Sequence, residues 1–479
     1  MPDEPRNTFT RTLGTGSIVF MVVAAAAPLT VVGGTVPLVF SMSESVGVPS
    51  YYLLAALVLA IFAVGFTAMS RFVKNAGAFY SYIQAGLGKI AGVGAATLAL
   101  FSYFVLLIAV YAYCGAAVTN ALEHYFAWTT PWWLWTLLIV AIVAFLGYRN
   151  IELSSKVLGF LLLAEVAVIL ILNIAVIARG GEAGLVSEPF NPAVAVSGNA
   201  GIGLMFAFFG FIGFEATAVF RNETKDPDRT IPKATYIAVI SIGVFYAFSS
   251  WAIAAGSGVS NIIADSTADP EGLVVTLATS YVGAILGDII QVLLVTSLFA
   301  CVLSFHNVVT RYQYSLGSQG VLPRRLGVVH GVHNSPSFSS LFLSVVSAIA
   351  MIIVAVIGLD PVVQIYAWLS GAATLGLMIL MALTSIAVIS YFARHSTGMS
   401  AVRTLVAPAV AFLGLAAVTT LVLSNFPLLV GSTTAAFVMA AIVFLSFFVG
   451  VGLALRLRHS VPDTYRGLDD AIVTVPAVS

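Results

Sequence analysis

Residues 24–37 read AAAAPLTVVGGTVP, and residues 206–220 read FAFFGFIGFEATAVF. Each stretch lies in an apolar run long enough to cross a bilayer, and each carries residues that interrupt a helix. Pro28 removes a backbone donor and clashes with the turn before it, and Gly33 and Gly34 loosen the turn after it. In the second stretch Gly210 and Gly213 flank Phe211 and Ile212, and Glu215 follows. An interruption in hydrocarbon is costly, because the freed N–H and C=O groups need partners. The two stretches open the first and sixth apolar runs, which are matching places if the first ten runs form two halves of five. Paired interruptions of this kind mark the binding site of a transporter. The N–H end of a half-helix suits a carboxylate, and the C=O end suits an ammonium group or a cation. An amino acid zwitterion needs both. Taken singly, Gly and Pro in membrane helices also serve kinks and close packing.

Outward from these stretches the chain repeats one pattern. Of its 479 residues 60% are apolar and 8% are charged, against about a quarter charged in a soluble domain. So few charges cannot cover a water-facing surface, so most of the surface faces lipid. A spanning helix needs roughly 20 apolar residues. Such runs fall near 14–41, 48–70, 90–121, 131–149, 153–178, 198–221, 231–257, 278–317, 337–358, 361–392, 403–425 and 431–456. The expected fold is therefore an all-α polytopic membrane protein with about twelve spans. Lys and Arg prefer the cytoplasmic ends of spans. With the N-terminus inside, Arg6, Arg71, Lys89, Arg149, Lys233, Arg311, Arg403 and Arg456 all fall inside and only Arg179 outside. Residues 1–12 then form a cytoplasmic segment and 457–479 a flexible cytoplasmic tail.

Several classes are excluded. No phosphate-binding GxxxxGK[ST] loop is present, so ATP does not drive work through this chain. HExxH, CxxC and GxSxG patterns are missing, and an enzyme reading has no footing. A net charge of zero gives no field for nucleic acid. Cys114 and Cys301 lie far apart in apolar runs and read as packing residues rather than a disulfide or metal pair. No cofactor or metal is expected.

The segment FFGFIGFEATAVFRNETKDPDRTIPKAT (208–235) resembles the sixth-helix signature of the amino acid–polyamine–organocation superfamily of permeases. NAGAFYSYIQAGLGKIAG (75–92) is similar to the family's loop after helix two, and SFHNVVTRYQYSLGSQGVLPRRL (304–326) to the end of helix eight and the loop beyond. The resemblance runs over roughly residues 10 to 460. It implies a LeuT-type five-plus-five inverted repeat, here 13–178 and 198–392, with two extra spans in 403–456. It implies discontinuous helices one and six and alternating access to a site between helices one, three, six, eight and ten. The site positions carried over are Ala26, Ala27, Pro28, Leu29, Thr30 and Val31 in helix one, and Phe209, Gly210, Phe211, Ile212 and Gly213 in helix six. Phe209 matches a bulky gate residue. Many members have a Gly-[Ser/Thr]-Gly run in helix one, where this chain has Pro28-Leu29-Thr30-Val31-Val32.

Charges at membrane depth are functional candidates. Glu165 lies mid-run in VLGFLLLAEVAVILIL with no basic residue within two turns, and is the candidate for proton coupling. The alternative is an acid that ties helices together. Glu215 follows the helix-six break, where exposed N–H groups favour a carboxylate, and reads as support for the break or as an ammonium ligand. Ser304 and His306 are a possible cation or coupling site, with Thr30 as a second hydroxyl. Of the aromatics Tyr103, Phe104, Tyr111 and Trp368, one is expected to line the cavity, and Tyr103 is the choice. Arg221, Lys225, Asp226, Asp228 and Arg229 form a mixed cluster, either an intracellular gate or plain surface. The leading expectation is a secondary transporter in the cytoplasmic membrane moving an amino acid with H+. Alternatives are a putrescine-type polyamine importer or, in another class, a non-transporting sensor or partner-dependent subunit.

Overall fold

A computed structural model describes residues 13–73, 78–149, 155–219, 223–329 and 335–468. The cytoplasmic segment expected at 1–12, Arg221 of the mixed cluster and residues 469–479 of the tail lie outside the described residues. Among the described residues ten helices are long and apolar enough to cross a membrane. Two shorter apolar helices, Trp132–Tyr148 and Ala200–Phe209, fall on the remaining runs. The chain is a multi-pass, all-helical membrane protein, and the only β pairing described is an isolated bridge between Leu13 and Thr224.

The first run is built from α1 (Thr15–Ala25), a one-turn piece Pro28–Thr30, a π-helical turn Val31–Thr35, and α2 (Val36–Ser43). Next come α3 (Val48–Met69), α4 (Ala78–Leu87), α5 (Lys89–Phe126), α6 (Trp132–Tyr148) and α7 (Ser155–Arg179). The sixth run is split into α8 (Ala200–Phe209) and α9 (Ala216–Val219). Then follow α10 (Pro227–Ser257), the short α11 (Ile262–Ala268) and α12 (Leu273–Tyr281), and α13 (Ala284–Ser318). The chain closes with α14 (Ser337–Ile357), α15 (Ala367–Arg394, entered through a π turn Pro361–Tyr366), α16 (Ala407–Val430), α17 (Thr433–Ser460) and α18 (Pro462–Gly467).

Burial ranks these helices. In its most apolar stretch α5 is 78% buried, whereas α17 is 17% buried. Lipid is as apolar as Leu, so a helix such as α17 faces it at no cost, and the small residues cluster where backbones meet. At 38 residues α5 rises about 57 Å, well beyond the hydrocarbon core of about 30 Å. It therefore serves as the axis along which the site is laid out. One face carries the basic helix ends, among them Arg71, Lys89, Lys233 and Arg403, and is called the basic face below. Asp269, Glu271 and Asp360 lie at the opposite, acidic face.

Three expectations change. Residues 78–87, read as part of a loop after helix two, form α4, whose Phe79, Tyr82 and Ile83 are buried. Part of the run 278–317 belongs elsewhere: residues 278–281 end α12, and Gly283 (φ 138°) starts a new helix at Ala284. The tail is not free up to residue 468. The α17 helix continues to Ser460, Lys89 Nζ donates to the Tyr465 and Arg466 carbonyls at 3.0 and 3.1 Å, and Gln84 Nε2 donates to the Leu468 carbonyl at 2.8 Å.

Candidate functional site between two interrupted helices

The helix-one break falls one residue before the proline. Ala27 has φ 45° and ψ 70°, a left-handed conformation that costs an L-residue about 1–2 kcal/mol. Proline accounts for the departure from the helix: the residue before Pro is steered out of the right-handed helical region, and Pro28 offers no N–H to the preceding turn. The freed groups find partners. Tyr246 Oη donates to the Ala26 carbonyl at 3.1 Å, and the Leu29 N–H donates to Glu165 Oε2 in a long contact of 3.4 Å. Thr30 Oγ1 pairs with Ser297 Oγ at 3.1 Å.

The helix-six break runs from Gly210 to Glu215 and turns at Gly213, φ 108°. Glu215 Oε2 accepts from the Gly213 N–H at 3.0 Å, and Glu215 Oε1 accepts from the Tyr103 hydroxyl. Leu59, Phe79, Phe208, Phe211 and Phe214 crowd this carboxylate around a void of about 10 Å³. The two breaks abut: a methyl group placed on Gly213 would lie 3.4 Å from Ala25 Cβ.

Between the breaks lies a central cavity of about 20 Å³, room for one water. Its wall is Ala25, Ala26, Ala27, Thr30 and Val31 of helix one, Phe209 and Ile212 of helix six, Leu106 and Val110 of α5, and Cys301 and Phe305 of α13. Towards the acidic face it is capped by aromatic rings. Phe209 meets Tyr366 edge-on at 5.8 Å, Tyr113 lies 4.9 Å from Tyr366, and Thr35 Oγ1 bonds Tyr366 Oη at 2.7 Å. Above the cap, Asn120 Nδ2 donates to Glu271 Oε2 at 2.6 Å. Burial, with Asp360 and Asp269 close by, pushes the Glu271 carboxyl from its ordinary 4.5 up to about 7. Towards the basic face a larger cavity of about 320 Å³ opens. Ala25, Ala27 and Cys301 line both, and the larger one adds Phe20, Met21, Glu165, Ser297 and Ser304.

The expected positions divide accordingly. Ala26, Ala27, Thr30, Val31, Phe209 and Ile212 surround the central cavity. Leu29 faces Glu165 through its amide. Gly210 packs on Tyr246, and Phe211 is buried against Tyr246 at 6.3 Å, away from the cavity. Pro28 and Gly213 shape the breaks without lining the cavity. Tyr103 reaches Glu215 rather than the centre. Trp368 Nε1 donates to the Leu429 carbonyl, Phe104 faces a groove beside α14 and α17, and Tyr111 is fully buried. Ser304 shares the cavity of Glu165, but His306, two residues on, points to the other side of α13. Its Nε2 pairs with Ser340 Oγ at 2.9 Å and packs on Gly147, so it joins α13 to α14 and α6. Sequence reasoning missed Ser297, Leu106, Val110, Cys301 and Phe305. The signal was available as helical spacing: 297, 301 and 304 share one stripe of α13, and 103, 106 and 110 share one stripe of α5.

Interrupted helices facing each other across a buried hollow are the geometry of a permease, and comparison with known proteins agrees. The family model described as amino acid permease matches residues 18–466. The chain belongs to the amino acid permease family. Among curated relatives of this family, the low-affinity putrescine importer PlaP of Escherichia coli is 25% identical over 370 residues, covering 73% of this chain and 76% of that protein. The branched-chain amino acid permease BcaP of Lactococcus lactis is 26% identical over 324 residues, covering 63% of this chain and 67% of its own. The histidine permease HisP of Lactococcus lactis is 28% identical over 203 residues, or 41% of this chain and 38% of that one. This permease is thus a transport protein, with a small molecule as its substrate.

Proposed function

We propose that this permease carries an amino acid with an apolar side chain across the cytoplasmic membrane, basic face and termini inward, and that a proton on Glu165 travels with it. One observation carries the reading: the Glu165 carboxylate already occupies the N–H group that the helix-one break frees at Leu29. A substrate carboxylate drawn to the same half-helix start competes with it, and two like charges at one helix end repel. A proton on Glu165 removes the competitor. Proton and substrate then bind as a pair, and each raises the other's affinity by the same factor. The apolar wall of Val31, Leu106, Val110, Phe209, Ile212 and Phe305 suits an aliphatic side chain, which the likeness to a branched-chain permease supports. The five-plus-five arrangement, residues 13–178 and 198–392, would provide the two faces between which the site alternates. Because the central cavity is only about 20 Å³, loading requires the helices around it to part.

Polyamine carriage needs a second carboxylate facing the cavity. Glu215 is the residue available, and it is held by Tyr103 and Gly213 inside a phenylalanine box. Purified protein in liposomes, with an inward proton gradient, tests the reading. Leucine uptake is expected to rise with the gradient and putrescine to be ignored. Glu165→Gln is expected to bind leucine yet lose the response to the gradient. Gradient-driven leucine uptake undiminished in Glu165→Gln ends the coupling proposal, and putrescine uptake in place of leucine ends the substrate proposal. Transport by the chain alone excludes a partner-dependent subunit.

A further inference from the structure

At the basic face, the end of α3, the first two turns of α10 and the connection between α15 and α16 enclose a cavity of about 310 Å³. Arg71, Arg229, Lys233 and Arg403 all border it, against a single carboxylate, Asp228. Four positive charges and one negative leave a net of +3. The other wall is apolar, with Val64, Ala68, Pro232 and Met399. Among the described residues few contacts offset this charge. Arg71 Nη2 donates to the main-chain carbonyl of Asp228 at 3.3 Å. The exposed Arg229 lies 4.0 Å from Asp226. Among the described residues no ion pair engages Lys233 or Arg403. Tyr236 and Thr67 complete the lining beside Arg403.

A preference for basic residues on one side of a membrane distributes them along loops. It does not require cations from three separate segments to border one hollow, where they repel each other. An anion between them reverses the sign of that interaction. Guanidinium groups match the oxygens of a phosphate two at a time, and the start of the 31-residue α10 adds its positive end. We infer that this cavity is a phosphate site that joins α3, α10 and the α15–α16 connection. The shared chemistry is a phosphate group, delivered either by an anionic phospholipid, whose chains would run along the apolar wall, or by the free ion.

The test uses the full chain, delipidated in detergent. Palmitoyl-oleoyl phosphatidylglycerol, the corresponding phosphatidylcholine and inorganic phosphate are titrated separately, with retained lipid counted by native mass spectrometry and the thermal midpoint followed. Phosphatidylglycerol is expected to bind and to raise the midpoint, and phosphatidylcholine to do neither. In Lys233→Gln/Arg403→Gln the apparent affinity for phosphatidylglycerol is expected to fall about tenfold or more, since each charge-assisted contact is worth roughly that factor. Arg403→Lys, which keeps the charge, retains most of the binding and controls for a folding defect. Inorganic phosphate that displaces the lipid identifies the ion as a sufficient occupant, and phosphate without effect identifies the lipid; both outcomes support the site. Equal binding of the two lipids, or unchanged phosphatidylglycerol binding in the double variant, overturns it.

Discussion

Three glycines near the interrupted helices answer differently to the same methyl group, and the contrast tests whether the break in helix six is conformational in origin. At Gly213, φ is 108°, yet a new Cβ has room, 3.4 Å from Ala25 Cβ. The cost of Gly213→Ala is therefore backbone strain, about 1–3 kcal/mol for a side chain in that region. A less flexible unfolded chain returns about 0.4–1 kcal/mol. The net expectation is a loss of about 1–2 kcal/mol. Gly33 sits in the π turn, where a Cβ meets Leu29 Cδ1 at 3.5 Å and Leu294 Cδ1 at 3.7 Å, ordinary contacts. There Ala is the better helix former, and Gly33→Ala is expected to be neutral or to stabilise by up to about 1 kcal/mol. Gly34 packs directly on Tyr113, and a methyl there overlaps the phenol. Gly34→Ala must displace a fully buried ring of the cap and is expected to cost the most of the three. Thermal midpoints in detergent give the order Gly33→Ala, Gly213→Ala, Gly34→Ala from most to least stable. Leucine uptake is expected to fall in Gly213→Ala and to survive in Gly33→Ala. If Gly213→Ala matches the parent protein in both midpoint and uptake, the positive φ at that turn is not what holds helix six open.

Glu271→Gln is expected to flatten the pH dependence of stability. The folded carboxyl titrates at about 7 and the ordinary one at 4.5. The fold thus holds more protons between those values, and stability falls as pH rises through that window, by up to about 3 kcal/mol. Midpoints at pH 5 and pH 8 measure it; an identical slope in parent and variant refutes the assignment. Tyr103→Phe removes the donor to Glu215 and is expected to cost about 1–3 kcal/mol, read as a lower midpoint. Equal midpoints would mean that the Tyr103 hydroxyl does not support the break. Ile212→Ala enlarges the central cavity and is expected to raise the relative uptake of phenylalanine over valine in competition assays. His306→Asn is expected to lower the midpoint while leaving gradient-driven uptake intact, because His306 faces α14 and α6. Loss of that uptake would return His306 to the coupling pathway.

The membrane fold was legible because the bilayer imposes a length on every apolar run, and all twelve runs carry apolar helices. The breaks were legible because Pro28 and Gly213 are local causes: the first keeps Ala27 out of the right-handed helical region, the second supplies a positive φ itself. What stayed hidden depends on distance along the chain. Glu165 and Leu29 are 136 residues apart, and Thr30 and Ser297 are 267 apart. No local pattern pairs them, although spacing could have separated Ser304 from His306. The α4 helix lies in the stretch read as a loop by its resemblance to the family's segment after helix two, and Gly86 with the polar Ser81 and Gln84 masks its helical pattern. Their polarity serves contacts that only the fold supplies, such as Gln84 on the Leu468 carbonyl.

The two buried glutamates look alike in sequence and differ in what surrounds them. Each accepts from an amide freed at a break, Glu165 from Leu29 and Glu215 from Gly213. Each also takes a hydroxyl, Glu165 that of Ser297 and Glu215 that of Tyr103, but the space beside Glu215 is about 10 Å³ between phenylalanine rings. Apart from Glu215 itself, the wall of that space is wholly apolar. Glu165 borders about 320 Å³ towards the basic face, and Ala25, Ala27 and Cys301 of that wall also bound the central cavity. A group that exchanges a proton once per cycle must meet solvent from one side and substrate from the other. Of the two, only Glu165 borders a cavity whose wall is shared with the central one, and under the proposed mechanism its long contact with the Leu29 amide is the one a substrate carboxylate replaces. Two breaks thus each hold a carboxylate, and the packing around each is what separates the supporting role of Glu215 from the exchange proposed for Glu165.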